Sequence, residues 1–170
     1  MIIIASKPGK LGNRLFIFAT LLANAIEYGY SIINPSFDEF ARFYPKIQQD
    51  FFCRYPFKKT WIKSTFFRKI FYTLVYYLTR MLHRLPFRIP GFDIMYLDWH
   101  QSIDLNSTFF LNKGKKKILF IQGWQFRDSK NFNKYADKIR EIFTPEKKYL
   151  INVENLIKKA KKSADIIIGV

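Results

Sequence analysis

Glycine and cations cluster near the start of this 170-residue chain. Lys7-Pro8-Gly9-Lys10-Leu11-Gly12-Asn13-Arg14 sets Gly9 and Gly12 among three basic side chains. Glycine lets backbone N–H groups approach an anion, and a helix start just beyond adds about half a positive charge. A corner of that kind can face a phosphate. The spacing is GxxG, however, neither the GxGxxG of dinucleotide folds nor the GxxxxGK[ST] of P-loop NTPases, and no Ser or Thr follows Lys10 to hold magnesium. A βα turn without a ligand satisfies the same pattern. A second candidate position is Trp124-Gln125, where an indole can stack on a sugar ring and an amide can bind a hydroxyl. The alternative for Trp124 is packing between domains.

Asp98, His100 and Ser102 are the side-chain types of a nucleophilic triad. Triads are assembled from distant segments, and neighbours on a strand point to opposite faces, so loop hydrogen bonding is the better explanation. No residue stands out as a catalytic base, and the catalytic residues stay unassigned. His83 and His100 lack a cysteine partner at metal-ligand spacing, so no metal site is expected. Cys53 is the only cysteine. It can form no intrachain disulfide and is expected to be a buried small hydrophobe.

The elements that must hold these residues follow from periodicity. An apolar run at 1–6 reads as a strand. Leu15, Phe16, Phe18, Ala19, Leu22, Ala23 and Ile26 then repeat at helical spacing, with Asn13 as the expected N-cap and Gly29 as the stop. A second strand at 31–34 completes a parallel β–α–β unit, and 35–40 leave it as a turn that opens a short helix. Residues 60–85 read as one long amphipathic helix. Ile62, Phe66, Ile70, Leu74, Leu78 and Leu82 form a stripe, thickened by Phe67, Phe71, Val75, Met81 and Leu85. The stripe is expected to pack on the sheet. The sharper alternative is a helix lying on a membrane surface, and both can hold on different faces.

Residues 93–102 read as irregular, and Lys113 to Lys117 as a solvated basic turn. A buried strand at 118–121 ends at Gly123. It puts Trp124 and Gln125 at a C-terminal strand end, where open α/β sheets bind ligands. Helices are expected at 133–143 and 146–162, and a closing strand at 164–170. The class is α/β, a Rossmann-like parallel sheet flanked by helices.

Composition bounds the function. Hydrophobic residues make up 49% and charged residues 25% of the chain, a globular balance. The net charge is +16 and unevenly spread: residues 46–88 carry ten basic side chains against one acid, Asp50. Dense aromatics accompany them, so 46–92 reads as a basic aromatic helical insertion. The imbalance points to an anionic partner, a membrane surface or a nucleic acid. No RNP, KH or helix-turn-helix signature appears, which disfavours nucleic acid. The apolar start is far too short for a signal peptide, and the uncharged stretch at 70–79 falls short of the roughly 20 residues a bilayer demands. A cytoplasmic location is expected, peripheral on the inner face of the membrane if the basic segment docks there.

Three blocks share a resemblance. Gly9-Lys10-Leu11-Gly12-Asn13-Arg14-Leu15-Phe16 with Phe18-Ala19 resembles the GGLGNQLFQYA signature of bacterial alpha-1,2-fucosyltransferases, members of the fucosyltransferase-like superfamily. Gly123-Trp124-Gln125, followed by Phe132, Tyr135, Ala136-Asp137, Ile139-Arg140 and Phe143, resembles their GYWQ segment and the helix after it. The run at 164–170 resembles the strand leading into their HxRRGD motif. Lys10 stands where the family has a second glycine, and Arg14 where it has glutamine. Residues 45–117 match no known pattern, and HxRRGD does not occur in the chain.

The resemblance implies the N-terminal domain, residues 1–170, of a longer GT-B-type glycosyltransferase, cut within or just after a strand, with its C-terminal half missing. It implies transfer of fucose from GDP-fucose to a glycan acceptor without a metal or other cofactor. Gly9, Gly12, Asn13, Arg14, Trp124 and Gln125 are the implied donor- or acceptor-binding residues. The rivals are a non-catalytic basic protein that binds anionic membrane surfaces and a degenerate domain that has lost donor binding.

Overall fold

The computed structural model describes residues 1–87 and 89–163. The expected strand at 164–170 lies outside the described residues. The chain runs β1 (Ile2–Ile4), α1 (Leu11–Tyr28), β2 (Ile32–Ile33), α2 (Pro45–Gln48), β3 (Arg54–Tyr55), α3 (Thr65–Arg84), β4 (Phe92–Tyr96) and β5 (Ile103–Asp104). It continues with α4 (Thr108–Lys116), β6 (Ile118–Gln122), β7 (Phe126–Arg127), α5 (Ser129–Lys134), α6 (Ala136–Ile142) and α7 (Lys147–Ser163). One sheet has the order β3-β2-β1-β6-β4, parallel except for the edge strand β3. β5 and β7 pair separately and in parallel. This is the α/β, Rossmann-like architecture expected of the sequence.

Strand alternation divides the core between two faces. Ile2, Ile4, Leu119 and Ile121 pack with Ile17, Phe18, Leu21 and Leu22 of α1 and with Phe110 of α4. Ile3, Ala5 and Phe120 point the other way and meet Phe71, Val75 and Leu82 of α3. α5 and α6 form an outer layer on α1 through Phe132, Ile139 and Phe143. The β–α–β unit at the start is as expected: α1 ends at Tyr28, where the Gly29 N–H bonds Ala25 O at 2.9 Å. Within 46–92, β3 extends the sheet edge and α3 covers one face.

Four local expectations change. The α1 N-cap is Lys10, with no side-chain cap bond, and Asn13 lies in the first turn. Residues 92–96 are strand, not irregular; an acid interrupts their apolar pattern, but Asp93 is paired to Lys113 Nζ at 2.8 Å at the sheet edge. That pairing also belongs to α4, so Lys113 to Lys116 are helix, not a basic turn. The expected helix at 133–143 is broken into α5 and α6 at Tyr135, after Asp128 caps α5 by accepting from Asn131 N at 3.0 Å.

The largest departure concerns α3. Arg68, Phe71, Val75, Thr79 and Leu82 face inward, while Ile62, Phe66, Ile70, Leu74 and Leu78 of the expected core stripe are exposed. The inward face takes two polar residues whose donors are largely met by carbonyls, with Arg68 Nη1 left buried and without a hydrogen-bond partner. Thr79 donates to Val75 O at 2.7 Å. Arg68, 2% exposed, donates to Gln48 O at 2.7 Å, Asp50 O at 3.2 Å and Phe51 O at 3.3 Å. Cys53 is buried as expected, and burial pushes its thiol up to about 12.

Candidate functional site

β1, β6 and β4 lie side by side and parallel, so the loops after their C-terminal ends converge on one edge. Ser6 to Gly9 follow β1, Leu97 to Trp99 follow β4, and Gly123-Trp124 follow β6. Together with Asn13, Tyr96 and Gln122 they line a cleft of about 340 Å³. Open parallel sheets bind ligands at this edge. Two glycines permit the geometry. Gly9 turns with φ of 59°. Gly123 has φ of 109°, and a Cβ there would stand 2.5 Å from Leu97 O. Its N–H donates to Ser6 Oγ at 3.2 Å, tying two of the loops together.

The cleft wall is aromatic. Trp99 and Trp124 meet edge to face, ring centroids 5.9 Å apart, and the Arg127 guanidinium lies over the Trp124 ring at 5.4 Å. Two donors beside them are unspent: Trp124 Nε1 and Gln122 Nε2 are buried without a hydrogen-bond partner. Asp98 is the one carboxylate lining the cleft among the described residues. Its Oδ1 accepts from Trp99 N at 2.7 Å, which holds the side chain at the mouth. Indole faces, unspent donors and a carboxylate suit a hydroxylated ring better than a naked anion.

The expected crowd of positive charge is largely neutralised. Lys7 Nζ pairs with buried Asp38 Oδ2 at 2.7 Å and lies 4.2 Å over the Tyr72 ring. Arg14 pairs with Glu39 and also donates to Gly9 O at 3.2 Å and Ser36 O at 3.4 Å. Burial alone would raise the Glu39 carboxyl, but Arg14 outweighs it and holds the group below its usual range. Arg14 therefore clamps the glycine turn to the 36–39 segment. Of the three turn cations only Lys10 makes no ion pair among the described residues.

Of the six candidate residues, Gly9, Asn13 and Trp124 line the cleft. Gly12 is in the first turn of α1, with open space around its Cα. Arg14 is held by the partners above. Gln125 donates to Trp99 O at 2.7 Å, bracing the aromatic wall. Sequence reasoning did not place Asp98, Trp99 or Gln122 at the site. The available signal was position, since each lies within three residues of a C-terminal strand end. Among the described residues no group of three or more His, Cys, Asp and Glu could hold a metal ion.

A buried polar network lies elsewhere on α1. Asp128 accepts from Asn24 Nδ2 at 2.6 Å and from Asn106 Nδ2 and Asn131 Nδ2 at 2.8 Å each. Burial would raise this carboxyl, yet these donors and the Asn131 N–H hold it below its usual value. Tyr30 Oη donates to Asn24 Oδ1 at 2.6 Å, and burial drives its phenol well up. The network joins α1 to the segments after β5 and β7. None of the protein-family models, curated proteins or solved structures compared with this chain matches it.

Proposed function

We propose that this chain is a fucosyltransferase-like glycosyltransferase domain of the GT-B arrangement, and that its cleft holds the glycan acceptor. One observation carries the reading: two indoles and two unspent buried donors meet where three parallel strands end. Stacking on an indole and hydrogen bonding to hydroxyls are the two ways a protein grips a sugar. The capture of Lys7 and Arg14 by Asp38 and Glu39 favours an uncharged acceptor over the donor diphosphate here. The resemblance assigns the donor's arginines to an HxRRGD motif, which this chain does not contain.

In the transfer, an acceptor hydroxyl oxygen forms a bond to fucose C1 as the C1–O bond to GDP breaks. The bonding pair leaves with the β-phosphate, and the hydroxyl proton passes to a base. Asp98 is the group within the cleft that can take it, in keeping with general-base catalysis by a carboxylate. Lys10 and the uncapped first turn of α1 offer the leaving diphosphate positive potential.

The test is calorimetric titration of the chain with GDP-fucose, GDP and a panel of neutral oligosaccharides. Saturable binding of an oligosaccharide, weakened about tenfold or more by Trp124→Ala, is the expected result. Absence of sugar binding, or binding indifferent to Trp124, overturns the reading.

A further inference from the structure

The outward side of α3 carries Phe66, Ile70, Leu74, Tyr77, Leu78 and Met81, each between 41% and 67% exposed. At 100° per residue they fill an arc of roughly 120° running the length of the helix. Fully exposed Trp61 and half-exposed Ile62 lead into it. Scattered surface hydrophobics are ordinary, but an unbroken strip of this length marks a contact. The chain contains no Asp or Glu between Asp50 and Asp93. Lys63, Lys69, Arg80 and Arg84 make no ion pair among the described residues.

Beside the strip lies a recess of about 400 Å³ lined by Tyr76, Arg80, His83, Arg84, Tyr96 and Gln122. Its two guanidinium groups make no ion pair among the described residues, Arg80 donating only to Tyr76 Oη at 3.4 Å, and such groups suit a phosphate.

We propose that α3 lies flat on an anionic phospholipid bilayer. Its apolar arc enters the acyl boundary, and Arg80 and Arg84 take headgroup phosphate. An acid-free helix with bulky apolar residues on one side and cations along the edge has the charge and shape that interface selects. No helix among the described residues is long and apolar enough to cross a membrane, and this contact requires none to. Charge argues against a second copy as the occupant: a two-fold contact would set two like-charged helix edges against each other on chains of net charge +16. Tyr96 and Gln122 line both the recess and the acceptor cleft, so docking holds the cleft beside the headgroups.

Cosedimentation with vesicles tests this, using phosphatidylcholine alone and phosphatidylcholine mixed with phosphatidylglycerol. The chain partitions onto the anionic vesicles, and added salt weakens binding. The double variants Leu74→Glu with Tyr77→Glu, and Arg80→Gln with Arg84→Gln, each lower the partition coefficient about tenfold or more, with melting temperature unchanged. Equal binding to neutral vesicles, or variants without effect, overturns the proposal. So does a dimer in sedimentation equilibrium that Leu74→Glu dissociates while vesicles go unbound. Titration with glycerol phosphate supplies the last arm: saturable binding lost in the Arg80/Arg84 variant, without vesicle binding, makes the recess a soluble-phosphate site and overturns the bilayer.

Discussion

Asp98 reaches the cleft because Gly123 lets the chain after β6 pass within contact of Leu97. A Cβ at 123 would press on a backbone carbonyl, which cannot swing aside as a side-chain tip can. Gly123→Ala is therefore expected to cost about 2–4 kcal/mol in denaturant unfolding and to weaken any ligand of the cleft. Asp98→Asn keeps the shape and removes the base. In an enzyme that also carries the donor-binding half, transfer to an acceptor should fall about 10²- to 10⁴-fold, while the affinity of this chain for the oligosaccharide is retained. Asp128 acts on stability. Its folded carboxyl is held below the unfolded value of about 3.9, so its contribution is complete above that pH and is lost as pH falls through the folded value. Asp128→Ala, which orphans buried amide donors, should cost about 3 kcal/mol near neutral pH. The gap from wild type should narrow in acid, as equilibrium unfolding at several pH values would show.

α3 shows which parts of the fold were legible. α1, β1, β2 and the strand leading to Gly123 followed from periodicity, because each has one apolar pattern and one place to bury it. α3 is apolar around most of its circumference. Periodicity identifies such a helix but cannot choose between two apolar faces, and the inner face was the less obvious one because it contains Arg68 and Thr79. Their partners are carbonyls of a loop and of the preceding turn, which no spacing rule reveals. β4 was hidden by Asp93, whose charge is met by Lys113 from a distant helix. The site was legible at Gly9 and Trp124, which follow recognisable strands, and at Asn13 in the first turn of α1. Asp98 drew notice only as a triad type beside His100 and Ser102, and with 93–102 read as irregular nothing put it at a strand end. The two faces of α3 give a direct check by thermal or denaturant unfolding. Arg68→Ala should destabilise by about 2–3 kcal/mol, while Leu74→Glu, on the outer face, should stay within about 0.5 kcal/mol of wild type.

Across the whole molecule, two surfaces meet at Tyr96 and Gln122: an aromatic cleft with Asp98 in its lining and a basic apolar helix. Residues 46–88 carry ten basic side chains against one acid, and Asp38 and Glu39 beside the glycine turn are spent on Lys7 and Arg14. Under the two proposals, that division would separate recognition of a sugar from attraction to an anionic surface. Three tryptophans report on it, Trp99 and Trp124 in the cleft and Trp61 ahead of α3. The most direct measurement is the indole N–H region of a ¹H–¹⁵N spectrum, recorded while the chain is titrated with GDP-fucose and neutral oligosaccharides. An oligosaccharide should shift the Trp124 and Trp99 signals together with one saturation curve and leave Trp61 in place. If no sugar moves Trp124, or if Trp61 alone responds, the cleft is not a glycan site and the glycosyltransferase account fails.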